Sequence, residues 1–516
     1  MAKRLPFFSD LKSLAYITSA LLICIIGLVF WPNQAAAEDT IAQDSIWYNS
    51  NDPLNTKALT PPAIPAGYLD GEIDSACAPV NYALALSLTD VADATLCNNP
   101  QTREAYANAR VQAAQLGIAK SAYLPQVSDN ISVNANIAYP EQSRSNPYSN
   151  LSNNIAASYL LYDFGNRDAN LENARQLLLA ASATQSSVVQ NLLLQAIQAY
   201  YQVQAGIAAL DAALESERAS EESYKAADAR YKAGVATPAD KLQAQTVFAQ
   251  NTLNRITAEG TLKNAYGLLA NVMGVTADQP IKLIPNKLNP AQSNTAQSIQ
   301  NVGDLINQAQ KRRPDLIASA AQLKAAEASI DASRAAAKPT VSVGVSNNLQ
   351  DGNSLSFNNN SSLGVTVSIP LFAGYGPSYR IKAALANADA RSAQRDQLRL
   401  QISLDVWRAY QNLTTANQSI VAAAVLVSSA EESSRVALGR YKAGVGNIID
   451  TLNAQSALAS ARQQQVQADL NANITRATLA QSIGGLDNAM IQSLPAANNA
   501  LSITNAPDSK SLKTQP

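Results

Sequence analysis

The sequence predicts an α+β membrane protein. Four β-strands in each chain contribute to a transmembrane β-barrel, and very long α-helices continue that barrel. Three observations predict this fold: an internal duplication, two segments in each half that alternate between apolar and polar residues, and a long stretch in each half without proline. The chain has 516 residues, which leaves room for both copies of the repeat.

The duplication is clearest in a hexapeptide, Arg-Tyr-Lys-Ala-Gly-Val, which occurs at residues 230–235 and again at 440–445. The surrounding residues keep the same register, as Asp240 and Asp450 do. A repeat in register indicates one supersecondary unit that is used twice. The chain is therefore divided into these segments: a signal peptide at 1–37, an N-terminal extension at 38–85, repeat 1 at 86–274, a linker at 275–301, repeat 2 at 302–487 and a C-terminal tail at 488–516.

Both repeats follow one plan of a helix, a β-hairpin and a long helical hairpin. Val341, Val343 and Val345 alternate with serine and glycine, and this period of two predicts a strand with unlike faces. The other elements predicted in this part of each repeat are helices at 101–122 and 315–336, strands at 131–139, 155–161 and 363–371, and polar loops at 140–150 and 350–360.

The two hairpins are isolated among helices, and this bears on what covers their apolar faces. A strand of a soluble sandwich would show the same alternation, but no second sheet is predicted here. A barrel with an apolar outside and a polar lumen fits better. Four strands cannot close a barrel, and an open edge in lipid leaves backbone groups unpaired. The chain is therefore expected to oligomerise, since two copies give a filled eight-stranded barrel and three give twelve strands around a channel.

The predicted helices are longer than a globular domain can use. Residues 166–233 contain no proline and one glycine, and residues 378–438 contain neither. At 1.5 Å per residue each helix reaches roughly 90–100 Å. Shorter return helices are predicted at about 239–271 and 448–483. The apolar stripe along the helices is interrupted by alanine, serine and glutamine. Either a solvated coiled coil or a ring of coiled coils with a wet interior would fit this pattern, and the strands favour the ring.

The N-terminus has the pattern of a secretory signal. Lys3, Arg4 and Lys12 precede a mostly apolar run, and three alanines at 35–37 fit a cleavage site. The alternative is an uncleaved membrane anchor, because the run is close to the ~20 residues that span a bilayer. The alanines and the polar residues after them favour cleavage.

Two cysteines, Cys77 and Cys97, remain after removal of the signal peptide. An exported chain with two cysteines is a candidate for one disulfide, and two unrelated thiols are the alternative. A bridge would fasten the N-terminal extension to the first helix.

Composition argues against an enzyme and against a nucleic-acid partner. The chain contains no histidine, so histidine-based zinc sites, Ser-His and Cys-His dyads and imidazole catalysis are excluded. Carboxylate-only mechanisms remain open. The formal net charge is -1, which gives no concentrated basic face for phosphates. No phosphate-binding glycine loop is present. No catalytic residue, metal site or cofactor is predicted.

The repeated motifs resemble those of the TolC-like outer-membrane factors, the outer membrane efflux protein family of Gram-negative bacteria. The resemblance covers roughly residues 86–487. It is carried by the twin hexapeptides, each followed by an aspartate and an Ala-Gln pair, and by the strand-to-helix segments Leu-Tyr-Asp-Phe-Gly (161–165) and Ile-Pro-Leu-Phe-Ala-Gly-Tyr-Gly (369–376). The segment 96–103 and the lack of a lipid-attachment cysteine are most similar to channels that serve type I protein secretion.

The resemblance implies a homotrimer with a twelve-stranded barrel in outer-membrane lipid and a helical barrel in the periplasm. The expected partners are a periplasmic adaptor (a membrane fusion protein) and an inner-membrane transporter, either ABC-type or proton-driven. The function it implies is a passive exit duct for type I protein secretion, for small-molecule efflux, or for both. The alternative is a non-conducting structural or adhesive coiled-coil protein of the outer membrane.

The same resemblance places a periplasmic gate at the two glycine turns. Asp240 and Tyr441 are the candidates for a closing bond between the hairpins, and Asp450 would supply a ring of carboxylates. Asn453 stands where the family can carry a second aspartate, and Gly446 where it can carry an arginine. Helix N-capping is the alternative role for both aspartates.

The hairpin tips are also the expected contact with the adaptor. The residues assigned to this contact are Arg230, Lys232, Gly234, Arg440, Lys442 and Gly444. The alternative for the four basic residues is a favourable interaction with the helix dipole, because each pair lies at a helix C-terminus.

Overall fold

A computed structural model describes residues 52–64, 77, 82, 84–136, 148–284, 301–352, 357–487 and 491. The predicted signal peptide and nearly all of the predicted C-terminal tail lie outside these residues, as do most of the N-terminal extension and of the linker. The described chain forms two compact units. The elements, in chain order, are β1 (Ala85–Leu86), α1 (Leu88–Asn98), α2 (Pro100–Ser121), β2 (Gln126–Asn136), β3 (Tyr148–Tyr162), α3 (Asn166–Lys232), α4 (Pro238–Val272), β4 (Lys282–Leu283), α5 (Val302–Arg312), α6 (Pro314–Ala335), β5 (Thr340–Gly352), β6 (Asn358–Ser368), α7 (Gly376–Lys442) and α8 (Ile448–Ser482).

The first unit contains a four-stranded antiparallel sheet with the order β2-β3-β5-β6. The two central strands come from different repeats, so the hairpins of the two repeats join side by side. Strand pairing aligns Val127, Ala157, Val345 and Leu363 across the whole sheet. The neighbouring row, Ser128, Ala156, Ser346 and Ser362, lies on the opposite face. The alternation predicted from the sequence is therefore clear in this part of the sheet. Nearer the hairpin loops the first face is mixed, since its next row aligns Asp129, Ile155, Asn347 and Ser361.

The strands are longer than predicted and include residues assigned to the ends of the polar loops. The predictions for residues 137–147 and 353–356 lie outside the described residues. Residues 148–150 belong to β3, residues 350–352 to β5 and residues 358–360 to β6, although the sequence assigned them to loops. Nearly all of these nine residues are polar or glycine, so no alternation between apolar and polar residues is visible there. In the structure such side chains pair across strands: Asn347 Nδ2 donates to Asn359 Oδ1 at 2.8 Å. Conversely, β6 ends at Ser368, three residues before the predicted end.

The helices of the second unit begin and end within a few residues of their predicted bounds. The long helices α3 and α7 each contain 67 residues, and the return helices α4 and α8 each contain 35. An apolar core forms where α3, α4 and α8 pack with α1, and Tyr200 and Leu193 are fully buried in it. Both long helices contain a window apolar enough to cross a membrane by length and composition alone. Part of the apolar window of α3 is buried in this core, which explains its apolar composition.

Two short helices were not predicted. Helices α1 and α5 each contain 11 residues and directly precede the Pro-initiated helices α2 and α6. The N-terminus of α1 carries a capping box, in which Ser87 Oγ accepts from Asp90 N and the Asp90 carboxylate accepts from Ser87 N at 2.8 Å. This Ser-x-x-Asp pattern was the available sequence signal.

Both return helices end on a glycine that lies against another chain segment. Gly274 has φ +72°, and a Cβ added there would lie 2.7 Å from the carbonyl group of Asn98. Gly484 has φ +73° and lies in the same way against Arg312 and Arg313. Asn99 Nδ2 also donates to Val272 O at 2.9 Å, which caps the end of α4. In each repeat, this contact packs the end of the helical hairpin against the junction of the two helices that precede the strands.

The N-terminal extension is attached to the second unit at several points. The structure joins Cys77 and Cys97 by a disulfide. Ile64 lies in the core, and Gln185 Nε2 donates to the carbonyl oxygens of Pro62 and Ala63, each at 2.9 Å.

Candidate functional site: the paired hairpin tips

The two glycine turns have the same backbone conformation. At the end of α3, Gly234 has φ +73° and donates to Tyr231 O, while Val235 N donates to Arg230 O at 3.0 Å. At the end of α7, Gly444 has φ +78°, and Val445 N donates to Arg440 O at 3.0 Å. This pair of bonds is the Schellman motif, which requires a left-handed residue that glycine adopts without strain. The glycines at the two tips therefore have a structural role.

The helices that follow the turns are capped differently. Thr237 and Asp240 form a capping box: Asp240 N donates to Thr237 Oγ1 at 3.3 Å, and the Asp240 carboxylate accepts from Thr237 N at 3.0 Å. At the start of α8, Asn447 Oδ1 accepts from Ile449 N at 3.1 Å. The Asp450 carboxylate is exposed and forms no hydrogen bond or ion pair among the described residues. Helix capping thus engages Asp240 and leaves Asp450 free.

Tyr441 is the largest side chain in the small apolar cluster that joins the tips. It is 5% exposed and packs with Ala227 and Ala244 of the first hairpin and with Ile448 and Leu452 of the second. Burial raises the pKa of its phenol; the Arg230 charge opposes this rise and the Asp240 carboxylate adds to it. The phenol is therefore neutral at physiological pH and available as a hydrogen-bond donor.

Arg230 contacts Tyr441 in two ways. Its Nη1 donates to Tyr441 O at 3.0 Å, and its Cζ lies 4.9 Å from the centroid of the Tyr441 ring. The guanidinium therefore satisfies a carbonyl oxygen at the C-terminus of α7 and stacks on an aromatic face. The arginine belongs to the first hairpin and the tyrosine to the second.

The predicted closing bond between Asp240 and Tyr441 is not formed in this conformation. Both residues line a cleft of about 400 Å³ between the tips. However, the Asp240 carboxylate accepts from Thr237, and the buried Tyr441 hydroxyl has no hydrogen-bond partner. The two groups line the same cleft, but the carboxylate is hydrogen-bonded to Thr237 and the hydroxyl is unpaired. The bond between them therefore stays a prediction.

The other predicted gate residues lie along the start of α8. Asn453 is exposed one helical turn after Asp450. Gly446 is tightly enclosed, since an added Cβ would lie 2.9 Å from Tyr441 N and 3.0 Å from the Arg440 carbonyl carbon. The turn as folded here has no room for the arginine that the family can carry at this position.

The basic residues at the tips have different surroundings. Lys232 forms an ion pair of 2.7 Å with Asp228, and hydrogen bonds from Lys232 and Lys241 lower the pKa of that carboxyl. Arg440 and Lys442 are exposed and form no ion pair among the described residues. Lys232, Arg440 and Lys442 are therefore accessible to a partner, whereas Arg230 is directed into the protein.

Comparisons with known proteins identify the family to which this architecture belongs. The model of the outer membrane efflux protein family matches residues 91–275 and 305–485, which are most of the two repeats. The chain belongs to this family. It is 31% identical over 415 residues to Protein CyaE of Bordetella pertussis (strain Tohama I), which covers 79% of this chain and 86% of that protein. It is 23% identical over 438 residues to the outer membrane protein TolC of Escherichia coli (strain K12), covering 81% and 85%.

Its fold is also that of a solved channel. The outer-membrane channel OprN superposes with a TM-score of 0.68 at 20% identity, covering 82% of this chain and 97% of that chain. The predicted resemblance is thus confirmed. As an outer membrane efflux protein, the chain is a channel subunit of an export system, located in the outer membrane with its helical part in the periplasm. The family is one of channel proteins and not of enzymes.

Two further links between the hairpins of this efflux protein were missed in the sequence. Ser223 of α3 exchanges hydrogen bonds with Gln455 of α8, the shorter of 3.0 Å. Arg462 of α8 forms ion pairs with Glu215 of α3 and, at 3.1 Å, with Glu431 of α7. These partners are more than 30 residues apart in sequence or belong to different repeats. No local pattern could have paired them.

Proposed function

We propose that three copies of this chain close a twelve-stranded barrel in the outer membrane, and that their helices form a passive exit duct through the periplasm. Each protomer contributes four strands. The face that carries Val127, Val345 and Leu363 faces lipid, and the face that carries Ser128, Ser346 and Ser362 lines the lumen. This arrangement matches the polar interior and apolar exterior of transmembrane barrels.

The observation that carries the proposal is the open sheet. Within the described residues, β2 pairs only with β3 and β6 pairs only with β5, so both outer strands keep an unpaired edge. Each unpaired backbone group costs several kcal/mol in lipid. Joining β6 of one protomer to β2 of the next removes both edges. Three protomers leave a lumen that two would fill.

The duct is proposed to work with a periplasmic adaptor and an inner-membrane transporter of the ABC or proton-driven type. The transporter supplies the energy and selects the cargo, which is either a secreted polypeptide or a small toxic compound. The exposed basic residues Lys232, Arg440 and Lys442 support an adaptor contact at the tips.

The hairpin tips are proposed as the gate. Three Asp450 carboxylates around the axis would repel one another and attract cations. The cleft between Asp240 and Tyr441 gives a place where a hydrogen bond can form when the hairpins shift. The gate therefore combines a ring of charge with contacts inside each protomer.

Conductance measurements test the channel proposal. Purified full-length protein is reconstituted into planar lipid bilayers, and its oligomeric mass is measured in detergent. We expect trimers and discrete conductance steps that are larger in Asp450→Ala, since this variant lacks the carboxylate ring. A non-conducting structural or adhesive protein would give no steps in either form, and that result would refute the duct.

A further inference from the structure

We propose that Arg230 is a positioning residue of the gate. Its two contacts with Tyr441, to the backbone oxygen and to the ring, are together called the clasp, and they hold the first hairpin tip against the second. This inference rests on the proposed gate at the tips. It replaces the expectation that Arg230 contacts the adaptor.

The first support is the double contact. One guanidinium nitrogen donates a hydrogen bond to the backbone oxygen of Tyr441, and the guanidinium carbon lies over its ring, 4.9 Å from the centroid. Arginine can do both because its donors are fixed in a planar fork and its π-system stacks on aromatic faces. A lysine at this position would keep the positive charge, but its compact ammonium group could not form both contacts in the same way.

The second support is the contrast with the duplicated residue. Arg440 occupies the same place in an identical hexapeptide, yet it is exposed and forms no ion pair among the described residues. The backbone turns of the two tips are the same, so local structure does not explain the difference. The contact of Arg230 arises because Tyr441, and not Tyr231, is the tyrosine that is buried between the hairpins.

The third support is the state of the Tyr441 hydroxyl. It lies buried and without a partner beside the same cleft that Arg230 and Asp240 line. Arg230 fixes the ring and the backbone of Tyr441 and leaves the hydroxyl unbonded. Arg230 therefore holds the tyrosine beside the cleft, where a closing bond would form when the hairpins shift. Loss of the clasp frees the second tip and favours the open channel.

A mutant cycle in planar bilayers tests the clasp. The full-length channel is compared with Arg230→Gln and Arg230→Lys, and Lys225→Gln serves as control because its described ion pair is with Glu221 on the same helix. We expect Arg230→Gln to raise the open-to-closed ratio at least about twofold, the lower range for one cation–π contact. Arg230→Lys should give a smaller rise and Lys225→Gln none.

The cycle is completed in two tyrosine backgrounds. Tyr441→Phe keeps the ring under the guanidinium, so the effect of Arg230→Gln should persist there. Tyr441→Leu removes the ring, and the effect of Arg230→Gln should shrink. An equal effect in both backgrounds, or no effect of Arg230→Gln in a conducting channel, would overturn the clasp alone. If no variant conducts, Asp450→Ala included, the channel proposal fails and the clasp with it.

Discussion

At the scale of single residues, the two tip aspartates differ in what surrounds them. Asp240 and Asp450 both lie three residues after a helix N-cap, but only Asp240 is held by its own cap. A carboxylate in a capping box has part of its hydrogen-bonding capacity occupied by the backbone. An exposed carboxylate without such bonds retains its full capacity for cations. The structure therefore favours Asp450 as the charge that acts in the lumen.

We predict that Asp450→Ala weakens the block of the channel by divalent cations. This variant would lack the proposed ring of three carboxylates, and with it the local attraction for cations. Asn453→Asp is the matched opposite, because it adds a carboxylate one helical turn further on and should strengthen the block. Both are measured as the divalent concentration that halves the bilayer conductance. Equal values for wild type and Asp450→Ala would exclude the ring.

At the scale of elements, the sequence predicted the helices well and the strand ends poorly. A long stretch without proline and with almost no glycine contains few residues that end a helix, so α3 and α7 were found within a few residues of their bounds. The loop ends of β3 and β5 show no alternation between apolar and polar residues, and their strand conformation comes from cross-strand pairing. Likewise, the hexapeptides located the tips, whereas the contact between Arg230 and Tyr441 depends on how two hairpins pack.

We predict that Gly274→Ala destabilises the helical unit, whereas Gly260→Ala does not. The Gly274 Cβ would meet the Asn98 backbone at 2.7 Å and would impose strain at φ +72°. Gly260 lies inside α4 with nothing within 4 Å of an added Cβ, so alanine there should stabilise the helix by about 0.5–1 kcal/mol. Thermal unfolding followed by circular dichroism measures both. If the midpoint of Gly274→Ala were at or above that of the wild type, the Asn98 backbone would have moved to accommodate the added Cβ at no cost, and the prediction would be wrong.

At the scale of the whole molecule, the four-stranded sheet keeps two unpaired edges within the described residues. The two repeats supply neighbouring hairpins, and β3 pairs with β5 along a nearly continuous register with one irregularity near Leu160. In the proposed barrel, the duplication doubles the number of strands that one chain provides. Assembly with further copies would then be the step that pairs the outer strands.

We predict that Val365→Arg impairs assembly in the outer membrane and that Thr366→Arg is tolerated. Val365 is 65% exposed on the apolar face, where an arginine at the bilayer midplane costs about 2–4 kcal/mol. Thr366 lies on the polar face, which is proposed to be the lumen. Heat-resistant trimer recovered from outer-membrane fractions measures both. If Thr366→Arg is the variant that fails to assemble, the two faces have been assigned the wrong way round.

The twin hexapeptides show how little sequence change is needed to make two tips differ. Both tips carry the same six residues and the same glycine turn. The residue that caps the next helix differs: it is Thr237 in one copy and Asn447 in the other. In the first copy the aspartate is hydrogen-bonded within its own helix end, and in the second it is exposed. In the proposed gate, one duplicated unit would therefore supply a structural contact from one copy and a lumenal charge from the other.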